Sequence, residues 1–240
     1  MKYKGISSRE RELLEELKRR NILVFDPLNA ANILNEDREN THRILSRMES
    51  KDIIYRIERG KYISSKTMNE EHIYKIASHI VEPSYVSLWS GLHYYGYTTQ
   101  VPRTIHIMVT EPKKIIQLQG MKIKFVKTGH FFGYISENGL VIAEPEKLFI
   151  DCLLYPDHAG GLSHIRGSLN EAEIDGERIV DYALKTNNRS LNSRLGYLLQ
   201  KTDKNFPMER LKGNISSSPV QLEPSRPGNK KNKGWNVMVC

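Results

Sequence analysis

Five polar side chains, Asn40, His42, Arg43, Ser46 and Arg47, alternate with the apolar residues Ile44, Leu45 and Met48. On a helix this spacing turns the apolar set to one side and the polar set to the other. Arginine pairs with guanine edges, asparagine with adenine, and either grips phosphate. A helix about 10–12 Å across fits a major groove about 12 Å wide, so the chemistry this face suits is duplex recognition. Arg59 and Lys61, either side of Gly60, would bring cations to phosphates or to an adjacent minor groove. These seven residues are the candidate DNA contacts. Glu36, Asp37 and Glu39 would repel phosphate, so the first turn of the helix is expected to stand off the backbone.

Other constellations offer less. Glu111-Pro112-Lys113 has the Glu-x-Lys spacing of Mg²⁺-dependent nucleases. A hard cation needs several oxygen ligands, and the nearest preceding acid is Glu82, before a predicted helix and turn. Lys113 and Lys114 read as solvent-facing loop residues. Among eight histidines no pair is backed by cysteines or by His-Glu-x-x-His spacing. His158 and His164, beside Asp157, are the closest cluster, and loop or helix-surface roles suit them. Ser163-His164 lacks a nucleophile elbow, and Gly160-Gly161 lacks the Lys-Ser/Thr of a phosphate loop. Trp89, Tyr94, Tyr95 and Tyr97 stand at helical spacing and read as core more readily than as base-stacking groups. The expectation is no catalytic residue, no metal ligand and no cofactor.

The elements that must position the DNA contacts lie in the first 66 residues. Ser7 or Ser8 caps a helix carrying Leu13, Leu14 and Leu17, with Lys18-Arg19-Arg20 at its C-terminal turn. Asp26-Pro27 caps and opens a second short helix. A third runs from about Glu36 to Ser50. Ile53–Ile57 and Lys61–Ile63 flank Glu58-Arg59-Gly60 as a β-hairpin. Three short helices and a two-stranded wing are the elements of a winged helix-turn-helix.

Residues 67–201 read as a mixed α/β domain with a small sheet and flanking helices. Ile73, Ile76, Ala77 and Ile80 predict a helix that Pro83 ends, and Ser84–Tyr95 predicts another. Strands are expected at Thr104–Thr110, Met121–Lys127, Phe131–Ser136 and Leu140–Ala143, then helices at Glu144–Leu154 and near 160–171, 176–186 and 190–201. Residues 202–240 form a basic, extended tail whose Trp235–Val239 run is expected to add a strand to the middle sheet. The fold class is therefore α+β.

Composition sets the frame. The chain has 240 residues and a formal net charge of +8, with +4 in residues 1–66 and +5 in residues 201–240. Two basic ends around a near-neutral body suggest a polyanionic partner. No apolar run approaches the roughly 18 residues of a membrane span, and Met1–Gly5 begins no secretory signal. Two cysteines, Cys152 and Cys240, exclude a disulfide framework and fit the cytoplasm.

Three blocks carry a resemblance to a known family. They are the wing Ile57–Ile63, the segment Tyr85–Tyr97 running into Val101–Ile107, and Ala143–Leu153 with its Glu144-Pro145-Glu146-Lys147 start. Together they resemble the AbiEi family, the antitoxins of type IV toxin–antitoxin systems. The resemblance implies a DNA-binding transcriptional (auto)repressor acting on double-stranded DNA at its own promoter or operator. It also implies a non-catalytic antitoxin domain that counteracts a nucleotidyltransferase-like toxin. Leu88, Trp89, Leu92, Leu148, Phe149 and Leu153 are expected to be scaffold. A homodimer is plausible, since one small module supplies few specific contacts. Asp52 replaces the glycine common after a recognition helix, a position an αL-tolerant Asp can fill, and Lys230–Lys233 matches nothing in the family pattern.

Overall fold

Ser7 opens the chain's first helix with a reciprocal capping box. Its hydroxyl accepts from the Glu10 amide, and the Glu10 carboxylate accepts from the Ser7 amide at 2.8 Å. The computed structural model describes residues 5–64, 69–202, 204, 206–223 and 227–239. Residues 1–4, Cys240 and the predicted boundary at 66/67 lie outside these.

The elements of the first unit follow in chain order: α1 (Ser8–Arg19), β1 (Val24–Phe25), α2 (Pro27–Leu34), α3 (Arg38–Ser50), β2 (Tyr55–Glu58) and β3 (Lys61–Ile63). Asp26 caps α2 and Asp37 caps α3, each through a side-chain oxygen on the N3 amide. Asp52 turns the chain out of α3 at φ 54°, and Gly60 makes the wing turn at φ 77°. Leu13, Leu17, Phe25, Ala30, Leu34, Ile44, Leu45, Met48 and Ile54 form one small core. β1 was not expected. It pairs antiparallel with β3 and makes the wing three-stranded, in the order β1-β3-β2.

α4 (Glu70–Ala77) leads into a six-stranded mixed sheet built from β4 (Ser84–Val86), β5 (Thr104–Val109), β6 (Ile116–Leu118), β7 (Met121–Lys127), β8 (Tyr134–Glu137) and β9 (Leu140–Ala143), with α5 (Leu88–Tyr94) inserted after β4. The strand order is β6-β7-β5-β4-β9-β8. The predicted helix over Ser84–Tyr95 is helical only from Leu88 to Tyr94. Its first three residues are an interior strand, antiparallel to β5 and parallel to β9, and buried throughout. A strand buried on both faces shows no alternation to betray it.

α6 (Pro145–Leu154), α7 (Gly161–Glu171), α8 (Gly176–Lys185) and α9 (Arg189–Leu199) pack on one face of the sheet around Leu92, Met108, Leu148, Phe149 and Leu153. Trp89 is only half-buried, leaning on the His164 ring at 5.1 Å. A β-carbon on Gly91 would stand 2.6 Å from Leu148, so glycine lets α5 and α6 touch. The other face is covered by Ile73, Ile76 and Ala77 of α4 and by Tyr55, Ile57 and Ile63 of the wing. The wing thus belongs to two cores.

The tail is folded, contrary to the extended reading, and its terminal strand does not join the middle sheet. After α10 (Glu209–Lys212), β10 (Val220–Gln221), β11 (Lys230–Asn232) and β12 (Val237–Val239) make a separate sheet in the order β10-β12-β11. Trp235 anchors it. The indole is buried, and its Nε1 donates to Gln200 Oε1 at 2.7 Å.

Candidate nucleic-acid interface

α3 buries Thr41, Ile44, Leu45 and Met48. Helical periodicity then puts Glu39, Arg43, Ser46 and Ser50 on its outermost line. Arg38 and His42 lie on the flank towards the wing, while Asn40, Arg47 and Lys51 lie on the flank towards α1.

The wing-side flank is one wall of an open groove of about 800 Å³. The N-cap of α2 and its N-terminal half (Asp26, Pro27, Leu28, Ala31) form a second wall, and Arg56, Arg59, Gly60 and Tyr62 of the wing form the third. Leu28 is 66% exposed at the rim. Among the described residues no carboxylate pairs with Arg38, Arg56 or Arg59, and Arg56 donates only to the Glu58 carbonyl at 3.3 Å. Three unpaired guanidiniums and an imidazole line a concavity whose one acid, Asp26, already accepts from the Asn29 amide at 2.7 Å. Such a surface attracts polyanions.

The seven sequence candidates divide by position. His42 and Arg59 line the groove. Arg43 and Ser46 are exposed on the outer line, where Arg43 pairs with Glu39 one turn earlier. Asn40 is half-buried and donates Nδ2 to Glu36 at 2.6 Å. Arg47 is exposed on the α1 flank, close enough to lower the Glu10 pKa by its charge. Lys61 is half-buried on β3. Sequence reasoning missed Arg38 and Arg56. The signals were there: Arg38 precedes His42 by one helical turn, and Arg56 pairs across the ladder with Tyr62.

The wing is braced from behind. Lys113, expected to face solvent, donates to both Glu58 carboxylate oxygens at 2.8 Å. Its neighbour Glu111 is exposed, 3.7 Å from Lys127. The Glu-x-Lys pair therefore diverges, and among the described residues no three His, Cys, Asp or Glu side chains gather as a metal site.

A second polar cluster lies deep in the other unit. Asp151, fully buried, accepts from Ser87 Oγ at 2.9 Å and from Tyr85 OH at 3.1 Å, and pairs with buried Lys147. Lys147 also donates to Tyr85 OH at 2.9 Å. Burial pushes the Asp151 carboxyl up and the Lys147 amine down, and each charge partly restores the other. Burial this complete keeps diffusing substrates away, so the cluster ties α6 to β4. It also steadies Leu88, which follows Ser87 at φ 58°.

The histidine cluster is loose. His164 contacts the Ala159 carbonyl at 2.7 Å and Thr98 at 2.8 Å, whereas His158 faces Lys124 at 3.4 Å and the His106 ring at 5.5 Å.

Strands β5 to β9, the α5–α6 contact and the buried Lys147–Asp151 pair all fall within residues 85–201, which match the family described as AbiEi antitoxin C-terminal domain. The chain carries an AbiEi antitoxin domain. The family match thus spans the second and third resemblance blocks, and the wing lies outside it. Among solved structures, the chain is similar to the crystal structure of the RV2827C protein from Mycobacterium tuberculosis. The two share 14% identity at a TM-score of 0.62, over 97% of this chain and 91% of that one. That likeness extends the shared fold beyond the AbiEi domain to the whole chain. No curated protein matches the sequence significantly. Among the described residues no helix is long and apolar enough to cross a membrane.

Proposed function

We propose that this chain is a cytoplasmic DNA-binding repressor of its own promoter whose AbiEi domain serves, without catalysis, as the antitoxin of a toxin–antitoxin pair. The single observation that carries the DNA reading is the groove between α3, α2 and the wing, where among the described residues no carboxylate pairs with Arg38, Arg56 or Arg59. Arg43 and Ser46 on the outer line of α3 supply base contacts once the helix enters a major groove. His42 reads the edge nearer the wing. Arg59 and Lys61 reach phosphates or the adjoining minor groove, while Asn40 and Arg47 hold the strand on the α1 side.

The AbiEi domain supports the antitoxin role. Its partner is a nucleotidyltransferase-like toxin, and paired copies on repeated half-sites supply the contacts one module lacks. A gel shift with the promoter upstream of the gene tests the reading. A retarded band that outlasts excess unrelated duplex is expected. Unchanged mobility at low salt would leave the winged unit as a protein-binding module instead.

A further inference from the structure

The wing tip carries Arg59, yet the neighbouring Glu58 brings a negative charge to the surface proposed to meet phosphate. Both Glu58 oxygens are occupied by one amine, Lys113 Nζ, at 2.8 Å. Lys113 comes from the AbiEi domain, in the connection between β5 and β6, and its amine stands 5.7 Å from the centre of the Phe125 ring on β7. The ladder between β2 and β3 shifts register between Arg56 and Glu58. Such a bulge bends a strand and re-aims its side chains. Beside Glu58, Ile57 packs with the core of the large sheet. Arg56 and Arg59 remain on the groove side. The bulge therefore splits the strand, with Ile57 and Glu58 fastened to the AbiEi domain while Arg56 and Arg59 are offered outward.

We infer that Lys113 is a positioning residue for the DNA-contacting wing, so that the AbiEi domain sets the angle at which Arg56 and Arg59 are presented. This rests on the DNA reading above for its purpose, but not for its geometry. Lys113 makes no phosphate contact of its own. Its two roles are to hold Glu58 back and to cancel its charge. A partner that displaced the connection between β5 and β6 would release the wing and weaken DNA binding from a distance.

The test uses the full chain and three variants: Lys113→Met, which keeps most of the aliphatic stem over Phe125, Glu58→Lys, and the Lys113→Glu/Glu58→Lys swap. Amide exchange over Tyr55–Ile63 reads wing order without DNA. Lys113→Met and Glu58→Lys are expected to speed exchange about five-fold or more, and the swap to restore it. With promoter duplex, Lys113→Met is expected to bind about five- to ten-fold more weakly while the slope of log K against log salt stays unchanged. A slope reduced by about 0.9 would mean Lys113 meets a phosphate directly and would overturn the positioning role. Unaltered exchange in Lys113→Met would overturn it too. Loosened wing exchange in a protein that binds no DNA even as wild type would uphold the brace and reject the DNA reading.

Discussion

Lys51, the residue that closes α3, reaches across to α1 and holds Glu10, whose carboxylate is fully buried, at 2.8 and 2.9 Å. The same carboxylate completes the capping box with Ser7. One acid therefore anchors the start of the first helix to the end of the helix proposed to enter DNA. Burial alone would raise the Glu10 pKa. The Lys51 hydrogen bond, the Ser7 amide and the charges of Lys51 and Arg47 outweigh it and hold the carboxyl below its usual range.

Lys51→Met leaves that buried carboxylate without its cation and is expected to cost roughly 2 kcal/mol, in the range for hydrogen bonds to charged groups. Because the folded pKa of Glu10 is depressed, its contribution is complete above the ordinary carboxylate value and fades as pH falls through the lower folded one. Urea unfolding of wild type and Lys51→Met at neutral pH and below pH 4 checks both points. The gap between the two proteins should narrow in acid.

His106 offers a second pH test. Burial, then the nearby His158 and Lys124, pushes its imidazole down to about 4 from an ordinary 6.5, and its buried Nδ1 has no hydrogen-bond partner among the described residues. The unfolded chain takes up this proton first, so stability is complete above about pH 6.5 and declines towards pH 4, by roughly 3 kcal/mol at most. His106→Gln should flatten that part of the pH–stability curve. An equally steep decline in the variant would show that other groups carry it.

Gly196 and Trp235 test the folded tail. A β-carbon on Gly196 would lie 2.0 Å from the indole. Gly196→Ala is expected to destabilise by about 1–3 kcal/mol through overpacking, and Trp235→Ala by about 3–5 kcal/mol through the cavity left. Red-shifted tryptophan emission in Gly196→Ala would report the displaced ring.

Glu39 sits on the outer line of α3 and pairs with Arg43. Glu39→Gln removes a charge that repels phosphate and frees the guanidinium, so promoter affinity should rise about two- to five-fold, the scale of an exposed ion pair. An unchanged or weaker affinity would place that line away from the duplex.

The caps and turns of the first unit were legible in the sequence because each depends on neighbours only. Ser7 with Glu10, Asp26 before Pro27 and Gly60 between its strands name their own geometry. Long-range pairings were not. β1 is two residues long and has meaning only beside Ile63 and Tyr62. β4 is three residues with no alternation. Trp235 finds Gly196 thirty-nine residues back in the chain, with no local mark on either. The groove itself divides the same way. His42 and Arg59 were visible from helix and turn spacing, whereas Arg38 and Arg56 became candidates only when α3 and the wing were set face to face.

The central claim is that the groove between α3 and the wing holds the phosphate backbone. Fluorescence anisotropy with the chain's own promoter duplex, titrated between about 50 and 200 mM salt, measures it directly. The account predicts that Arg38→Gln, Arg56→Gln and Arg59→Gln each weaken binding, with the salt slope falling by about 0.9 for every phosphate left without its guanidinium. A triple variant that binds the promoter as tightly as wild type, with the same slope, would contradict it.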